Sequence, residues 1–156
     1  MQKVFNTSNF KETQELGKIL ASEITPGALI CLSGDLGSGK TTFTQGLLKG
    51  LNVTGPFTSP TFLIIKNYQK EIPISKSQFP NKSKIKKYKI RNIYHVDAYR
   101  VTSRDILNLG WKEMVAEKNN IIIIEWANRI RKIIPRGALW IKFEWLDQNK
   151  RKITFK

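Results

Sequence analysis

Residues 34–41 read Gly-Asp-Leu-Gly-Ser-Gly-Lys-Thr and match the whole of the phosphate-binding pattern G-x-x-x-x-G-K-[ST]. The glycines allow successive backbone N–H groups to turn inward around an anion without a clash at Cβ. We expect Lys40 to reach the β- and γ-phosphates of a nucleoside triphosphate, and the Thr41 hydroxyl to bind Mg²⁺. An apolar run at 28–33 precedes the loop and an apolar helical pattern over 41–51 follows it. This order of strand, glycine loop and helix is the one that a phosphate-binding loop requires.

Two acidic residues end predicted strands and are candidates for the metal and water site. Glu125 follows four isoleucines at 121–124, and Asp97 ends the strand predicted over 93–97. Acids at the carboxyl ends of buried parallel strands lie where ligands bind in open α/β sheets. Glu125 either helps to hold Mg²⁺, which we expect, or is a solvated strand end. Asp97 either binds the metal, orients the attacking water or caps the following turn.

Three neighbours of these acids have two interpretations each. His95 points to the same side of its strand as Asp97, and it is either a structural or a catalytic residue. Arg100 contacts either a phosphate or a surface acid, and Trp126 is a packing residue or a ligand contact. Because the chain has one histidine and one cysteine, a zinc site is not expected.

The remaining periodicities predict helices and strands on both sides of the loop. Asn9 is the expected N-cap of a helix, with Glu12 three residues later, and strands are expected at 3–5 and 62–68. The further predicted elements are helices over 103–109, 111–117 and 129–134, and a C-terminal hairpin from 139 to 155. We therefore expect an α/β fold, a P-loop NTPase-like three-layer sandwich with a mixed central sheet and a C-terminal β-hairpin, in a single domain spanning 1–156.

The composition is that of a globular protein, with 40% hydrophobic and 10% aromatic residues in a chain of 156. The one cysteine, Cys31, lies in an apolar run, so we expect a buried structural thiol and no internal disulfide. The N-terminal stretch carries no secretory signal, and the longest apolar run, 121–124, is far too short to cross a bilayer. These features predict a cytoplasmic protein that does not enter the membrane.

Positive charge is concentrated in one stretch of the chain. Residues 66–91 contain nine basic residues and one acid, Glu71, so this stretch carries +8 of the formal net charge of +15. Its centre, 70–90, is polar and contains two prolines, and we expect an inserted lysine-rich loop. The loop is either a solvated surface or a contact to a phosphate-rich or acidic partner.

The hydroxyl-rich turn at 58–62 and two missing motifs bear on the type of nucleotide. The turn reads Thr-Ser-Pro-Thr-Phe and is either a switch that senses the γ-phosphate or an ordinary turn. A guanine-specific protein would carry N-K-x-D and a D-x-x-G motif after the loop, and neither is present. We therefore expect ATP and not GTP.

Four motifs occur in one order, namely residues 34–42, Ser-Pro-Thr-Phe at 59–62, His-x-Asp-x-Tyr-Arg at 95–100 and Glu-Trp at 125–126. Together, in so short a chain, they resemble the TsaE (YjeE) family, and the likeness covers most of the sequence. The resemblance implies a bacterial ATPase that is required to form N6-threonylcarbamoyladenosine at position 37 of tRNAs reading codons that begin with A. It also implies ATP and Mg²⁺ as cofactors and the TsaB and TsaD proteins as partners, with tRNA involved indirectly.

The motifs and the resemblance together give roles to individual positions. The catalytic residues are expected to be Lys40, Asp97 and Glu125, and the metal residues Thr41 and Glu125. Segment 59–62 would be the switch, and Asn9 would approach the adenine. The full set expected to bind the nucleotide is Gly34, Asp35, Gly37, Ser38, Gly39, Lys40, Thr41, Thr42 and Asn9.

Two other functions are compatible with the sequence. A small P-loop metabolite kinase would need a lid of arginines, and Arg129, Arg131 and Arg136 are candidates, although no acceptor motif accompanies them. A nucleic-acid-binding module would rest on 66–91, where aromatic residues are few, so phosphate contact without base readout is the expected mode. The family usually joins the flanking strands by a much shorter turn than 70–90.

Overall fold

The computed structural model describes residues 2–60, 62–68, 90 and 92–156, and within them seven strands form one mixed sheet. The spatial order of the strands is β1-β7-β6-β2-β5-β4-β3. In chain order their bounds are β1 Lys3–Thr7, β2 Leu29–Ser33, β3 Ile65–Tyr68, β4 Ile93–Asp97, β5 Ile121–Glu125, β6 Leu139–Trp145 and β7 Arg151–Phe155.

The four central strands β6, β2, β5 and β4 are parallel, because β2 pairs with both β5 and β6, and β5 also pairs with β4. The outer strands are antiparallel: β3 pairs with β4 at one edge, and the hairpin of β6 and β7 carries β1 at the other. The parallel centre aims the carboxyl ends of β2, β4 and β5 at one edge of the sheet. The mixed sheet and the C-terminal hairpin confirm the fold expected from the sequence.

Helices cover both faces of the sheet. One face is covered by α1 (Phe10–Glu23) and α2 (Lys40–Gly50), and the other by α3 (Ser103–Asn108), α4 (Trp111–Ala116) and a 3₁₀ helix (Ala127–Ile133). Strand alternation divides the core accordingly, since Ile123 packs with the first pair of helices and Ile124 with the second group. The result is the three-layer arrangement.

Helices α1 and α2 cross at backbone contact. Gly17 of α1 and Gly46 of α2 are buried at the crossing. A Cβ at Gly46 would overlap the backbone carbonyl of Gln14, and one at Gly17 would overlap the carbonyl oxygen of Phe43. Glycine is therefore required at both positions by the close approach of the two backbones.

Cys31 lies on β2 and is fully buried. Burial raises the pKa of its thiol to about 12, so the thiolate is not formed at neutral pH. The prediction of a buried structural thiol is confirmed.

The strand predicted over 62–68 is wrong in its first half, because the strand begins only at Ile65. The carbonyl of Pro60 accepts hydrogen bonds from the backbone N–H groups of Leu63 and Ile64, which form a turn. Ile64 has a φ of 61°, in the left-handed region, and this conformation cannot continue a strand. The hydrophobic run at 62–65 is typical of a strand, and it gave no indication of this turn.

The helix predicted over 129–134 is a 3₁₀ helix that begins two residues earlier, at Ala127. Trp126 precedes it in a left-handed conformation, with φ 60° and ψ 32°, which turns the chain sharply out of β5. The helix predictions at 103–109 and 111–117 are confirmed to within two residues at each end. The lysine-rich stretch 70–90 lies outside the described residues except for Ile90, so that prediction stays a prediction.

None of the helices in the described ranges is long and apolar enough to cross a membrane.

The helix crossing gives a prediction for stability. We expect Gly46→Ala to lower the free energy of unfolding by about 1–3 kcal/mol, because the added methyl group overlaps the Gln14 carbonyl. At an uncrowded helical position the same change would stabilise by about 1 kcal/mol, so the sign of the effect distinguishes the two cases. Urea unfolding of the parent and the variant measures it. Lys18→Ala, on the exposed side of α1, is the control, and a Gly46→Ala protein as stable as the parent would contradict the close contact.

Candidate nucleotide-binding site

A cleft of about 630 Å³ opens at the carboxyl edge of the parallel strands. Its walls come from five parts of the chain: the phosphate-binding loop, the ends of β4 and β5, the start of α1, the turn between β6 and β7, and Ser59 in the segment before β3. The residues that line it are Asn9, Phe10, Thr13, Leu36, Gly37, Gly39, Lys40, Thr41, Thr42, Ser59, Asp97, Tyr99, Arg100, Glu125, Trp126, Gln148, Asn149 and Arg151.

The glycine loop connects β2 directly to α2. Gly39 is the N-cap of α2 and has a φ of 103°, a conformation that glycine adopts without strain. The first turn of α2 contains no acidic residue of its own, and its N-terminus carries the positive end of the helix dipole. The loop and the helix start together form the kind of site that binds phosphate groups.

Lys40 is the most enclosed cation of this cleft. Its Nζ atom donates hydrogen bonds to the carbonyl oxygens of Gly34, at 2.7 Å, and Asp35, at 2.8 Å, and it approaches Ser38 Oγ at 3.4 Å. The indole ring of Trp126 covers the ammonium group, with 3.9 Å between Nζ and the ring centroid. This is a cation–π contact in a shielded position.

Two opposing effects act on the charge of Lys40. Burial lowers the pKa of the ammonium below its usual value, while the nearby carboxylates, that of Glu125 first among them, oppose the shift. The carboxylates thus favour the protonated form that is needed to contact a phosphate.

Thr41 and Glu125 join the P-loop helix to the end of β5. The Thr41 hydroxyl donates a hydrogen bond of 2.8 Å to Glu125 Oε2. The other carboxylate oxygen, Oε1, lies 2.9 Å from Nε2 of His95 on the neighbouring strand β4. Glu125 and His95 are each only 2% exposed, so the contact between them is shielded from solvent, whereas the bond to Thr41 is partly buried.

Hydrogen bonds to both of its carboxylate oxygens hold the Asp97 side chain at the end of β4. Its Oδ1 accepts from the backbone N–H of Tyr99 at 2.9 Å, and its Oδ2 accepts from the Ser59 hydroxyl at 3.1 Å. The first bond caps the turn after β4, as one interpretation of the sequence had it. The second connects Asp97 to the predicted switch segment, of which Thr61 lies outside the described residues.

The wall opposite the acids was not predicted from any motif, apart from Asn9. Phe10 lies at the start of α1 and is 62% exposed, and Gln148 and Asn149 lie in the β6–β7 turn. Arg151, at the start of β7, donates from Nη1 to the carbonyl oxygen of Asp147 at 2.8 Å. The only signal in the sequence was the predicted hairpin turn at 147–150, and the sheet order then brings that turn beside α1.

The predicted site residues divide into two groups by position. Gly37, Gly39, Lys40, Thr41, Thr42, Asn9, Asp97 and Glu125 line the cleft, whereas Gly34, Asp35 and Ser38 do not and instead contact Lys40. Asn9 accepts a hydrogen bond from Glu12 N at 3.0 Å, which confirms it as the N-cap of α1. The candidate kinase arginines, Arg129, Arg131 and Arg136, are exposed and do not line the cleft.

The donor atoms around Thr41 fit a magnesium ion. In the described part of the chain there is no cluster of three or more His, Cys, Asp or Glu side chains that would hold a cation by itself. Mg²⁺ in nucleotide sites needs only one or two protein oxygens, because phosphates and waters complete its shell. The Thr41 hydroxyl gives its hydrogen to Glu125 and keeps oxygen lone pairs for a cation.

The sequence and the fold were compared with known proteins. The family model described as Threonylcarbamoyl adenosine biosynthesis protein TsaE matches residues 7–153. The tRNA threonylcarbamoyladenosine biosynthesis protein TsaE of Bacillus subtilis (strain 168) is 34% identical over 151 residues, which are 97% of this chain and 83% of that protein. The protein of the same name from Nostoc sp. is 35% identical over 133 residues, or 83% of this chain and 70% of that one.

A solved structure agrees with the sequence comparisons. The crystal structure of Bacillus subtilis YdiB superposes with a TM-score of 0.72 at 31% sequence identity, covering 99% of this chain and 84% of that chain. The match of the family model over nearly the whole sequence shows the family. The chain belongs to the TsaE family of threonylcarbamoyl adenosine biosynthesis proteins.

Proposed function

We propose that this protein binds and hydrolyses ATP with Mg²⁺, as an accessory ATPase for the formation of N6-threonylcarbamoyladenosine in tRNA. The modified position would be residue 37 of tRNAs that read codons beginning with A, and the protein would act with TsaB and TsaD. Because the modification takes place on tRNA, we propose that this activity occurs in the cytoplasm. The involvement in threonylcarbamoyladenosine biosynthesis follows from the family; the nucleotide chemistry is argued from the cleft.

The proposal rests mainly on the hydrogen bond between Thr41 and Glu125. It joins the first turn of the P-loop helix to the end of a buried strand, at 2.8 Å, beside Lys40. A phosphate-binding loop alone needs no buried acid at this point. A carboxylate bonded to the hydroxyl that would ligate Mg²⁺ supports a site for a metal–nucleotide complex.

The chain's own residues supply binding and charge. The loop N–H groups and the start of α2 would contact the phosphates, and Lys40 would exchange its bonds to Gly34 and Asp35 for bonds to phosphate oxygens. Thr41 and Glu125 would hold Mg²⁺, which when bound neutralises the charge on the β- and γ-phosphate oxygens.

Asp97 is the residue that we assign to the attacking water. Its side chain is 6% exposed, lines the cleft and is held in place by Tyr99 N and Ser59 Oγ, so its orientation is fixed. Because the carboxylate lines the cleft, it would accept a hydrogen bond from a water molecule placed beside the γ-phosphate. The contact to Ser59 connects this water site to the switch segment 58–62, which the γ-phosphate would order.

Hydrolysis is favoured over transfer to a metabolite by the lining of the cleft. The arginines that a kinase lid would need, at 129, 131 and 136, do not line the cleft. Arg100 does line it and follows Asp97 closely in the sequence. We expect slow hydrolysis by the isolated chain, because within the described residues neither arginine of the lining, Arg100 or Arg151, is bonded to a carboxylate or a hydroxyl that would hold it in position.

The assignment of Lys40 gives a first prediction. We expect Lys40→Ala to reduce the rate of ATP hydrolysis on the order of 10²–10³-fold, because a preorganised cation at the phosphates is lost. Phosphate release measures the rate, and thermal unfolding shows that the variant is folded. Lys49→Ala removes an exposed lysine from the same helix and should leave hydrolysis unchanged. Equal hydrolysis by the Lys40 variant and its control would refute this site.

The assignment of Asp97 predicts a different pattern. Asp97→Asn keeps the shape and one acceptor oxygen, so nucleotide binding should be retained while kcat falls by about 10²–10⁴-fold. Equilibrium binding and steady-state hydrolysis, measured on the same protein, separate the two effects. The matched control is Glu15→Gln, which also removes one carboxylate, at an exposed position on α1. If binding and kcat fell together by the same factor, Asp97 would be structural.

The role in tRNA modification is tested by reconstitution. Purified TsaB and TsaD with tRNA and the remaining substrates should form more modified nucleoside over repeated turnovers when this chain and ATP are added. Lys40→Ala should remove the gain. Mass spectrometry of the digested tRNA measures the product, and an added nucleoside or sugar should remain unphosphorylated. Full modification without this chain would overturn the accessory role.

A further inference from the structure

His95 lies inside the sheet, next to the candidate metal site but outside the cleft. It is the third residue of β4, is 2% exposed, and does not line the cleft. In the register of β4 against β5, Asp97 lies opposite Glu125 and His95 lies opposite Ile123. The imidazole therefore contacts Glu125 diagonally across the two strands, from a position two residues before the end of β4. It can affect a nucleotide in the cleft only through that carboxylate.

The two oxygens of Glu125 are bonded from two different elements. Oε2 accepts from Thr41 on α2, and Oε1 lies 2.9 Å from Nε2 of His95 on β4. A carboxylate at the end of a strand can rotate about its side-chain bonds, and one hydrogen bond leaves that rotation open. Two bonds at opposite oxygens fix the plane of the group, as an outer partner does for the ligand of a metal.

The second ring nitrogen of His95 indicates which nitrogen carries the proton. Nδ1 is buried and has no hydrogen-bond partner among the described residues. A proton on Nδ1 would be a buried donor without an acceptor, while Nε2 has a carboxylate oxygen at hydrogen-bond distance. The arrangement favours the tautomer with its proton on Nε2.

We propose that His95 is a positioning residue of the nucleotide site. Its Nε2–H donates to Glu125 Oε1, which holds Oε2 against the Thr41 hydroxyl and orients both groups toward Mg²⁺. His95 thereby sets how much Mg²⁺ strengthens nucleotide binding, without contacting either. This inference rests on the proposed function, in which Thr41 and Glu125 hold the metal.

The hydrogen bond itself is tested without any ligand. The chain contains one histidine, so ¹⁵N-histidine labelling of the full-length protein gives the signals of His95 alone. We expect the chemical shifts of a protonated Nε2 and an unprotonated Nδ1, and a shift of the Nε2 signal in Glu125→Ala. A proton on Nδ1, or an Nε2 signal that is unchanged in Glu125→Ala, would overturn the proposal.

The effect on the metal is tested with two variants of similar size. His95→Leu fills the space without a donor, and His95→Gln places an amide donor near the position of Nε2. Binding of a fluorescent ADP is titrated at increasing Mg²⁺ and in EDTA. We expect the Leu variant to need about tenfold more Mg²⁺ for its half-maximal effect, with its affinity in EDTA unchanged, and the Gln variant to restore most of the loss.

These outcomes distinguish a failure of this inference from a failure of the proposed function. If the Leu variant keeps the magnesium dependence of the parent, or if Leu and Gln behave alike, the positioning role is wrong. If the parent protein binds nucleotide equally in Mg²⁺ and EDTA, the metal site of the proposed function is wrong, while the NMR result still reports the bond between His95 and Glu125. Thermal unfolding shows that each variant is folded.

Discussion

The parallel pairing of β2 with β5 is the constraint on which the rest of the site depends. Leu32 lies opposite Glu125 in that pairing, so the end of β5 is level with the exit of β2 into the glycine loop. The loop then returns into α2, and Thr41 in the first turn lies within hydrogen-bond distance of Glu125. Strand β4 pairs on the other side of β5 and adds Asp97 at the same level. One edge of the sheet thus brings together a lysine, a hydroxyl and two acids from three separate parts of the sequence.

Burying these polar groups together is possible because each has a partner. Lys40 bonds the carbonyl groups of its own loop and is covered by Trp126, while Glu125 accepts from Thr41 and lies against His95. A buried charge without such partners would be expelled or neutralised. The same bonds hold the side chains in one arrangement, so the nucleotide binding that we propose would require the exchange of a few defined contacts and little reorganisation of the walls.

The sequence predicted the parts of the site that rest on local patterns. The glycine loop follows from its motif, and Glu125 follows from an acid that ends an apolar run. Arg151 and Asn149 could not be found in this way, because they enter the cleft only through the order β1-β7-β6-β2, which depends on long-range pairing. The predicted start of β3 was too early for a local reason. The hydrophobic run at 62–65 indicates burial but contains no signal for the left-handed turn at Ile64.

The crossing of α1 and α2 has a consequence for how the cleft can vary. At Gly17 and Gly46 the backbones of the two helices are in contact, so a change in their spacing there cannot be absorbed by side-chain rotamers. The start of α1 carries Asn9 and Phe10 on one wall, and the start of α2 carries the phosphate loop on another. The distance between these two walls is therefore restricted by the contact between the helices. Substitutions along the rim can therefore change the surface of the cleft, while the close helix contact at two residues without side chains restricts the separation of its walls.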